Sequence, residues 1–221
     1  MSKQLLPALL LLISLHSVQS YITYIEKRFP LEGERSPPGS PWPLPREWKK
    51  SLTVLTLDPN NFYLSSNAEE CDVIRKATNR YKSYILIDSK YGKASPNRPV
   101  MPGIQVNVDN KDCGYPKLTK NTDQESYNIE IPESGGAKIT AKTVWSALWG
   151  LETFSQLVYQ DSDRAYLINA TSISDSPRYG YRGILLDSAR HFQPMKVLKQ
   201  NLVSLSLFMS LKRETFLNRV V

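Results

Sequence analysis

No segment of this sequence beyond its first twenty residues approaches the ~18 uninterrupted apolar residues that a helix needs to cross a bilayer, so the mature chain is expected to carry no membrane span. It also has no cluster of five or six basic residues. The 28 Lys and Arg against 21 Asp and Glu leave a net charge of +7, but they are scattered, and the tyrosines do not interleave with a basic stripe as a nucleic-acid surface would require. No nucleic-acid partner is inferred. Cysteine is scarce, with only Cys71 and Cys113. Neither a metal nor a cofactor is expected.

What is present reads as a globular chain. Its 221 residues are 41% hydrophobic and 22% charged, enough for one or two domains with a core. Residues 1–20 place Lys3 before a leucine-rich run from Leu5 to Leu15 and end on Val18-Gln19-Ser20, the pattern of a secretory signal peptide. A signal anchor is the alternative, but the run is short for a bilayer. Loss of Lys3 with the signal would leave a charge of about +6. In a secreted chain an even cysteine pair favours a disulfide, and closing a loop of about 43 residues is worth roughly 4 kcal/mol in the chain-entropy treatment. Two unrelated buried thiols are the other reading.

Residues 21–41, centred on Pro37-Pro38-Gly39-Ser40-Pro41, read as a flexible lead or pro-segment. Leu52–Leu57 is β-branched and apolar, a strand ended by the turn Asp58-Pro59-Asn60-Asn61, and a short strand is expected near Phe62-Tyr63-Leu64. Ser66-Asn67-Ala68-Glu69 has capping-box spacing, and Val73, Ala77, Tyr81 and Tyr84, with Ile74 and Ile85 beside them, line one face of a helix to about Ile87. Ile104–Val108 alternates as a strand, and Tyr127–Ile131, Gly135-Gly136 and Ala137–Thr140 describe an antiparallel hairpin. The second helix spans Thr143 to Tyr159. Val144, Leu148, Leu151, Phe154 and Val158 share one face, and Trp145 and Trp149 form a second stripe that reads as core or interface packing before any sugar-stacking role. Tyr166–Ile168 and Thr171–Ile173 then lead onward.

The informative stretch is Asp175 to Pro194. Gly183-Ile184-Leu185-Leu186 has no polar alternation, as expected of a strand buried on both faces of a parallel sheet. Pro194 suits a first helical turn, and Val197, Leu198 and Leu202 follow on one face. The turn between them carries Asp187, Ser188, Arg190 and His191, and loops at the carboxyl ends of parallel strands are where barrel enzymes keep their chemistry. From the residues alone, an Arg-Asp-Arg-His set at a strand end reads first as an ion-pair and hydrogen-bond network bracing a barrel, ahead of a sugar-binding role. Strand polarity alone points to Asp187 as the chemically placed group, because Arg182 begins the strand.

The string Arg182-Gly-Ile-Leu-Leu-Asp187-Ser-Ala-Arg190-His191-Phe192, with Asp175-Ser-Pro-Arg178 before it, resembles the opening of the catalytic barrel of β-N-acetylhexosaminidases, glycoside hydrolase family 20. Trp145-Ser-Ala-Leu-Trp-Gly-Leu-Glu-Thr-Phe-Ser-Gln-Leu-Val158 is similar to the smaller domain that precedes that barrel, and the likeness runs from about Pro41 to about Leu202. The resemblance implies an α+β fold, an antiparallel sheet with two helices over residues 42–173, followed by the truncated start of a (β/α)8 barrel at 174–202 and a divergent tail at 203–221.

The same resemblance implies that Arg182 contacts hydroxyls of a terminal N-acetylhexosamine, with Asp187, Arg190 and His191 as active-site scaffold. It supports a Cys71–Cys113 disulfide and a glycan at Asn169, in the sequon Asn169-Ala-Thr171. The activity implied is secreted or lysosomal hydrolysis of terminal N-acetylhexosamine residues from glycans by a substrate-assisted, retaining mechanism, in a parent that could dimerise. That mechanism uses an Asp-Glu pair on a later barrel strand, and a full barrel takes about 250 residues. No substitute pair is evident, since Glu69-Glu70 reads as the acidic first turn of a helix. The chain is therefore expected to be a truncated form, inactive alone. Val203, Leu205, Leu207, Met209 and Leu211 alternate as a strand would. A non-catalytic secreted module binding glycans or the full-length enzyme is the alternative.

Overall fold

Alternating side chains along most of the strands build one mixed sheet. The computed structural model describes residues 36–88, 90–116, 122–183, 185–187 and 190–209. The expected signal peptide, most of the lead, Ile184, Ser188, Ala189 and the residues after Met209 lie outside the described residues. The described residues from Pro37 onward form one compact unit.

In chain order the described elements are β1 (Glu47–Leu57), β2 (Tyr63–Ser66), α1 (Asp72–Ile85), β3 (Gly103–Asn110), β4 (Tyr127–Ile131), β5 (Ala137–Thr143), α2 (Val144–Leu157), β6 (Tyr159–Gln160), β7 (Tyr166–Asp175) and α3 (Met195–Met209). The strand order is β1-β7-β4-β5-β3-β2, with β6 beside β7. The pairs β1–β7, β7–β4 and β4–β5 are antiparallel, so the expected hairpin is present and the fold is α+β. Pairing at β3 differs from the antiparallel expectation, because β3 runs parallel to both β2 and β5. Between β2 and β3 the chain passes through α1, a crossover that returns the next strand in the same direction, and β3 then lies beside β5, the return strand of the hairpin, rather than beside β4.

Both helices of this layer cover one face. Ile74, Ala77, Tyr81 and Ile85 of α1 and Val144, Ala147, Leu151, Phe154 and Leu157 of α2 are buried, in one cluster with Ile104, Val106, Ile129, Ile139, Ile168 and Ile173 from the strands. The opposite face shows Gln105, Asn128, Glu130, Lys138 and Lys142 to solvent. Polar on one side and apolar on the other is the pattern of a sheet covered by a single layer. Gly150 lets α2 lie close, since a Cβ there would stand 2.8 Å from Ile139 Cγ2 and 3.3 Å from Tyr127 Cδ2. Each fully buried Ile, Leu or Phe contributes roughly 1.5–3 kcal/mol relative to exposure.

Several local expectations need correction. The apolar stripe of α1 runs through Ile74 rather than Val73, and Tyr84 stays exposed, meeting Tyr81 edge-on. The Ser66/Glu69 pair closes a turn ahead of the helix. Ser66 Oγ accepts from Ala68 N–H at 3.1 Å, while the helix starts later, with Cys71 as its N-cap. The capping box belongs to α2 instead, where Thr143 and Ser146 bond reciprocally. β1 begins ahead of Leu52, because β7 pairs with it from Glu47↔Ser174 onward. Its register breaks between Lys50 and Val54, and Leu52 stands exposed there. Cys71 and Cys113 form a disulfide with Cα atoms 5.8 Å apart, tying the start of α1 to the loop after β3.

The largest correction concerns the expected barrel strand. Gly183, Leu185 and Leu186 have no strand geometry, and Leu185 is 77% exposed. A strand buried on both faces needs neighbours for its backbone groups and for both sides of its side chains, and no described strand lies against it. After it the expected helix is present as α3, with Pro194 just before its first residue and the Pro194 carbonyl accepting from Val197 and Leu198 N–H at 2.9 and 3.1 Å. Val197, Leu198 and Leu202 are half-buried. The alternation from Val203 to Met209 lies inside this helix, so those residues are helical and not a strand.

Candidate functional site

The chain leaves the sheet at Asp175 and is fastened there. Asp175 Oδ1 accepts from Arg46 N–H at 3.0 Å, and Oδ2 accepts from Tyr127 Oη at 2.8 Å. Tyr127 Oη also meets Thr153 Oγ1 of α2 at 2.7 Å. Burial, and then the negative charge of Asp175, push the Tyr127 phenol well above its ordinary value, so it stays a neutral donor. Arg46 then reaches forward, its Nε donating to Ser176 O at 2.9 Å and its Nη2 to Pro177 O at 3.0 Å. The first residues after the sheet are thus held by Arg46, the residue just before β1, and by Tyr127 of β4.

Seven residues beyond Asp175 the chain is fastened again. Arg182 Nη2 donates to Glu125 Oε2 at 2.5 Å, and Nη1 donates to Tyr179 O at 2.5 Å. Glu125 closes the 3-10 turn Thr122–Glu125 just ahead of β4. Its side chain is 5% exposed and that of Arg182 27%. The guanidinium lies over the Trp149 ring of α2, 5.8 Å from its centroid, a cation–π distance. Trp149 is itself half-buried against the core. A carboxylate taken this far out of water is costly unless an opposite charge meets it with good hydrogen-bond geometry, and Arg182 supplies that charge.

The other sequence-derived residues fall elsewhere. Asp187 Oδ1 accepts from Arg190 N–H at 3.1 Å, and Arg190 Nε lies 3.3 Å from Asp187 Oδ2, a local pair three residues apart. His191 and Phe192 are exposed. Asn169 lies in β7, half-buried, its Nδ2 donating to Ser51 O at 3.0 Å and its Oδ1 accepting from Tyr159 Oη at 3.2 Å. Arg182 therefore sits on the helix-and-sheet layer, while Asp187 and Arg190 pair with each other. Among the described residues no group of three or more His, Cys, Asp and Glu could hold a metal ion.

Residues 41–157 match the family model described as beta-acetyl hexosaminidase like. The chain belongs to this hexosaminidase family. It is 36% identical over 171 residues to human beta-hexosaminidase subunit beta, covering 73% of this chain and 30% of that protein. Rat beta-hexosaminidase subunit alpha is 34% identical over 171 residues, with 73% and 32% covered, and Dictyostelium discoideum beta-hexosaminidase subunit B2 is 33% identical over 170 residues, with 75% and 29% covered. The chain thus spans about a third of the length of the curated relatives it matches. Among solved structures, the Flavobacterium johnsoniae chitobiase aligns with a TM-score of 0.51 at 28% identity, covering 76% of this chain and 25% of that one. The GH20 exo-β-N-acetylglucosaminidase of Vibrio harveyi, in complex with N-acetylglucosamine, aligns with a TM-score of 0.56 at 21% identity over 80% of this chain and 25% of that one. That second likeness is one of fold.

Sequence reasoning missed Glu125 altogether. It sits in a short polar turn with no periodicity to mark it, and its role follows only when a residue 57 positions later folds back onto it. Arg46 was hidden the same way, in the stretch just before β1. Trp149 carried a signal, the four-residue spacing from Trp145, and packing was its expected role. The structure gives it packing and a cation on its face.

Proposed function

We propose that these residues form the leading domain and the barrel entrance of an exo-β-N-acetylhexosaminidase that removes terminal N-acetylhexosamine from glycans. The observation that carries the reading is the pairing of a family-matched helix-and-sheet domain with an arginine, Arg182, held at its surface where the chain moves on toward Asp187. An arginine offers planar, forked donors suited to two neighbouring sugar hydroxyls, and Arg182 is the substrate-binding residue in this reading. Asp187, Arg190 and His191 shape the site around it. The reaction is substrate-assisted. The sugar's own 2-acetamido oxygen attacks the anomeric carbon and the leaving oxygen is protonated by a carboxylic acid, with an Asp-Glu pair from barrel residues outside these 221 orienting the amide and supplying that proton. Taken alone, the 221 residues do not turn over substrate.

The reading also puts the protein in the secretory pathway, lysosomal or extracellular, with residues 1–20 removed as a signal peptide and Asn169 glycosylated; the leucine-rich run behind Lys3 and the sequon Asn169-Ala-Thr171 support it. The test is hydrolysis of a chromogenic N-acetyl-β-glucosaminide by the purified 221-residue chain, followed across a size-exclusion column. No turnover in the monomer fraction is expected. Turnover co-eluting with the monomer contradicts the mechanism, because it requires a catalytic acid within these residues.

A further inference from the structure

Arg182 lies where a sugar-binding group is proposed, yet its fixed partners come from the helix-and-sheet domain. Glu125 takes one Nη2 donor at 2.5 Å and the Tyr179 carbonyl takes one Nη1 donor at 2.5 Å. Trp149 covers a face of the guanidinium at 5.8 Å. A guanidinium has five N–H donors, and these contacts use two of them, leaving enough to grip a pair of hydroxyls. The side chain keeps 27% of its surface accessible. It is held on the inside and open on the outside.

We propose that Glu125 and Trp149 are positioning residues for Arg182, so that the leading domain builds part of the sugar-binding subsite. The inference rests on the reading of Arg182 as the sugar-binding arginine. A free arginine loses much rotamer freedom when it binds, and ordering one such side chain costs an interface about 0.5–1.5 kcal/mol. Glu125 removes that cost in advance. Its carboxylate is almost wholly out of water and cannot follow a moving partner, so it fixes one edge of the guanidinium, while the Trp149 ring fixes the plane. The carboxylate also neutralises the cation locally, which suits an uncharged sugar better than an anionic ligand.

The experiment follows the Arg182 Nε–Hε signal by NMR in the disulfide-intact 221-residue chain labelled with 15N-arginine, the signal being assigned by its loss in Arg182→Lys. The expected result is a dispersed signal with hindered rotation about Cζ–Nε in the wild-type chain, collapse to the averaged position of solvent-exposed arginines in Glu125→Gln, and partial averaging in Trp149→Leu. Retained dispersion of the core amides in each variant separates loss of positioning from loss of fold, and Trp149→Leu carries the test if Glu125→Gln does not fold. An averaged wild-type signal, or one unmoved in either variant, overturns the positioning role.

Titration with methyl N-acetyl-β-glucosaminide at millimolar concentration is expected to shift the wild-type signal saturably, with affinity in Glu125→Gln about two- to tenfold weaker, the same ordering cost expressed as a ratio. A rigid Arg182 that no sugar shifts overturns the sugar-binding reading and leaves Arg182 as a clamp between two parts of the chain. The two failures are therefore distinct.

Discussion

Ile139 and Leu185 are both aliphatic residues in runs that read as strand, and they end in opposite surroundings. Ile139, in β5, is fully buried, paired on one side with Val106 of β3 and on the other with Ile129 of β4. Leu185 is 77% exposed and has no strand geometry. The same holds along their neighbourhoods: β1 to β7 with α1 and α2 enclose a continuous core, while Tyr179, Tyr181, Leu185, Phe192 and Met195 face solvent. An apolar run becomes a strand only when other strands take up its backbone and its side chains. The helix-and-sheet layer meets that condition within itself, and the residues after Arg182 do not meet it among the described neighbours.

The sharpest break in this contrast is expected at the centre of the core. Phe154→Ala should cost about 3–5 kcal/mol, because the ring is fully buried between α2 and the sheet, and urea denaturation of the purified chain measures it. Reduction of Cys71–Cys113 comes next. It releases a loop with a sequence separation of 42 and should lower stability by roughly 2–4 kcal/mol, read as a drop in the urea midpoint with and without reductant.

Alkaline pH probes the same core more gently. Burial, and then the charge of Glu152, raise the Tyr81 phenol, and its Oη donates to Glu152 Oε2 at 2.8 Å. In the native chain Tyr81 keeps its proton, whereas in the unfolded chain it ionises near its ordinary value of about 10. Above that pH the unfolded state has released the proton and the native state has not, so stability present at neutral pH falls as pH rises. The expected loss is roughly 1 kcal/mol per pH unit above about 10 for this tyrosine, and Tyr81→Phe should flatten that part of the urea-midpoint profile. At the far end of the scale, Leu185→Ala should change stability by less than about 0.5 kcal/mol in the same urea experiment. A loss approaching that of Phe154→Ala would erase the contrast.

What could be read in advance follows the same division. The β4–β5 hairpin was legible because Tyr127, Ile129 and Ile131 alternate with polar residues and Gly135 takes the positive φ that its turn requires. α2 was legible from Leu151 and Phe154 at helical spacing. The parallel pairing of β3 was not, because period-two alternation is the same for either strand direction and the direction comes from the crossover through α1. Leu185 misled for a related reason: local composition reports what a segment would bury, and not whether anything arrives to bury it. At the candidate site, Arg182 just before an apolar run and Asp187, Arg190 and His191 just after it stood out as charged groups, but the partner that holds Arg182 is Glu125, which no local pattern connects to it.

The most direct test of the account is backbone hydrogen exchange on the intact 221-residue chain. Slow exchange near the global limit is expected in β3, β4, β5, β7 and α2, with an edge of protection at Arg182 and fast exchange at Leu185, Leu186 and Phe192. Protection of Leu185 to Phe192 equal to that of β5 would contradict it, because those residues would then share the core's cooperative unit.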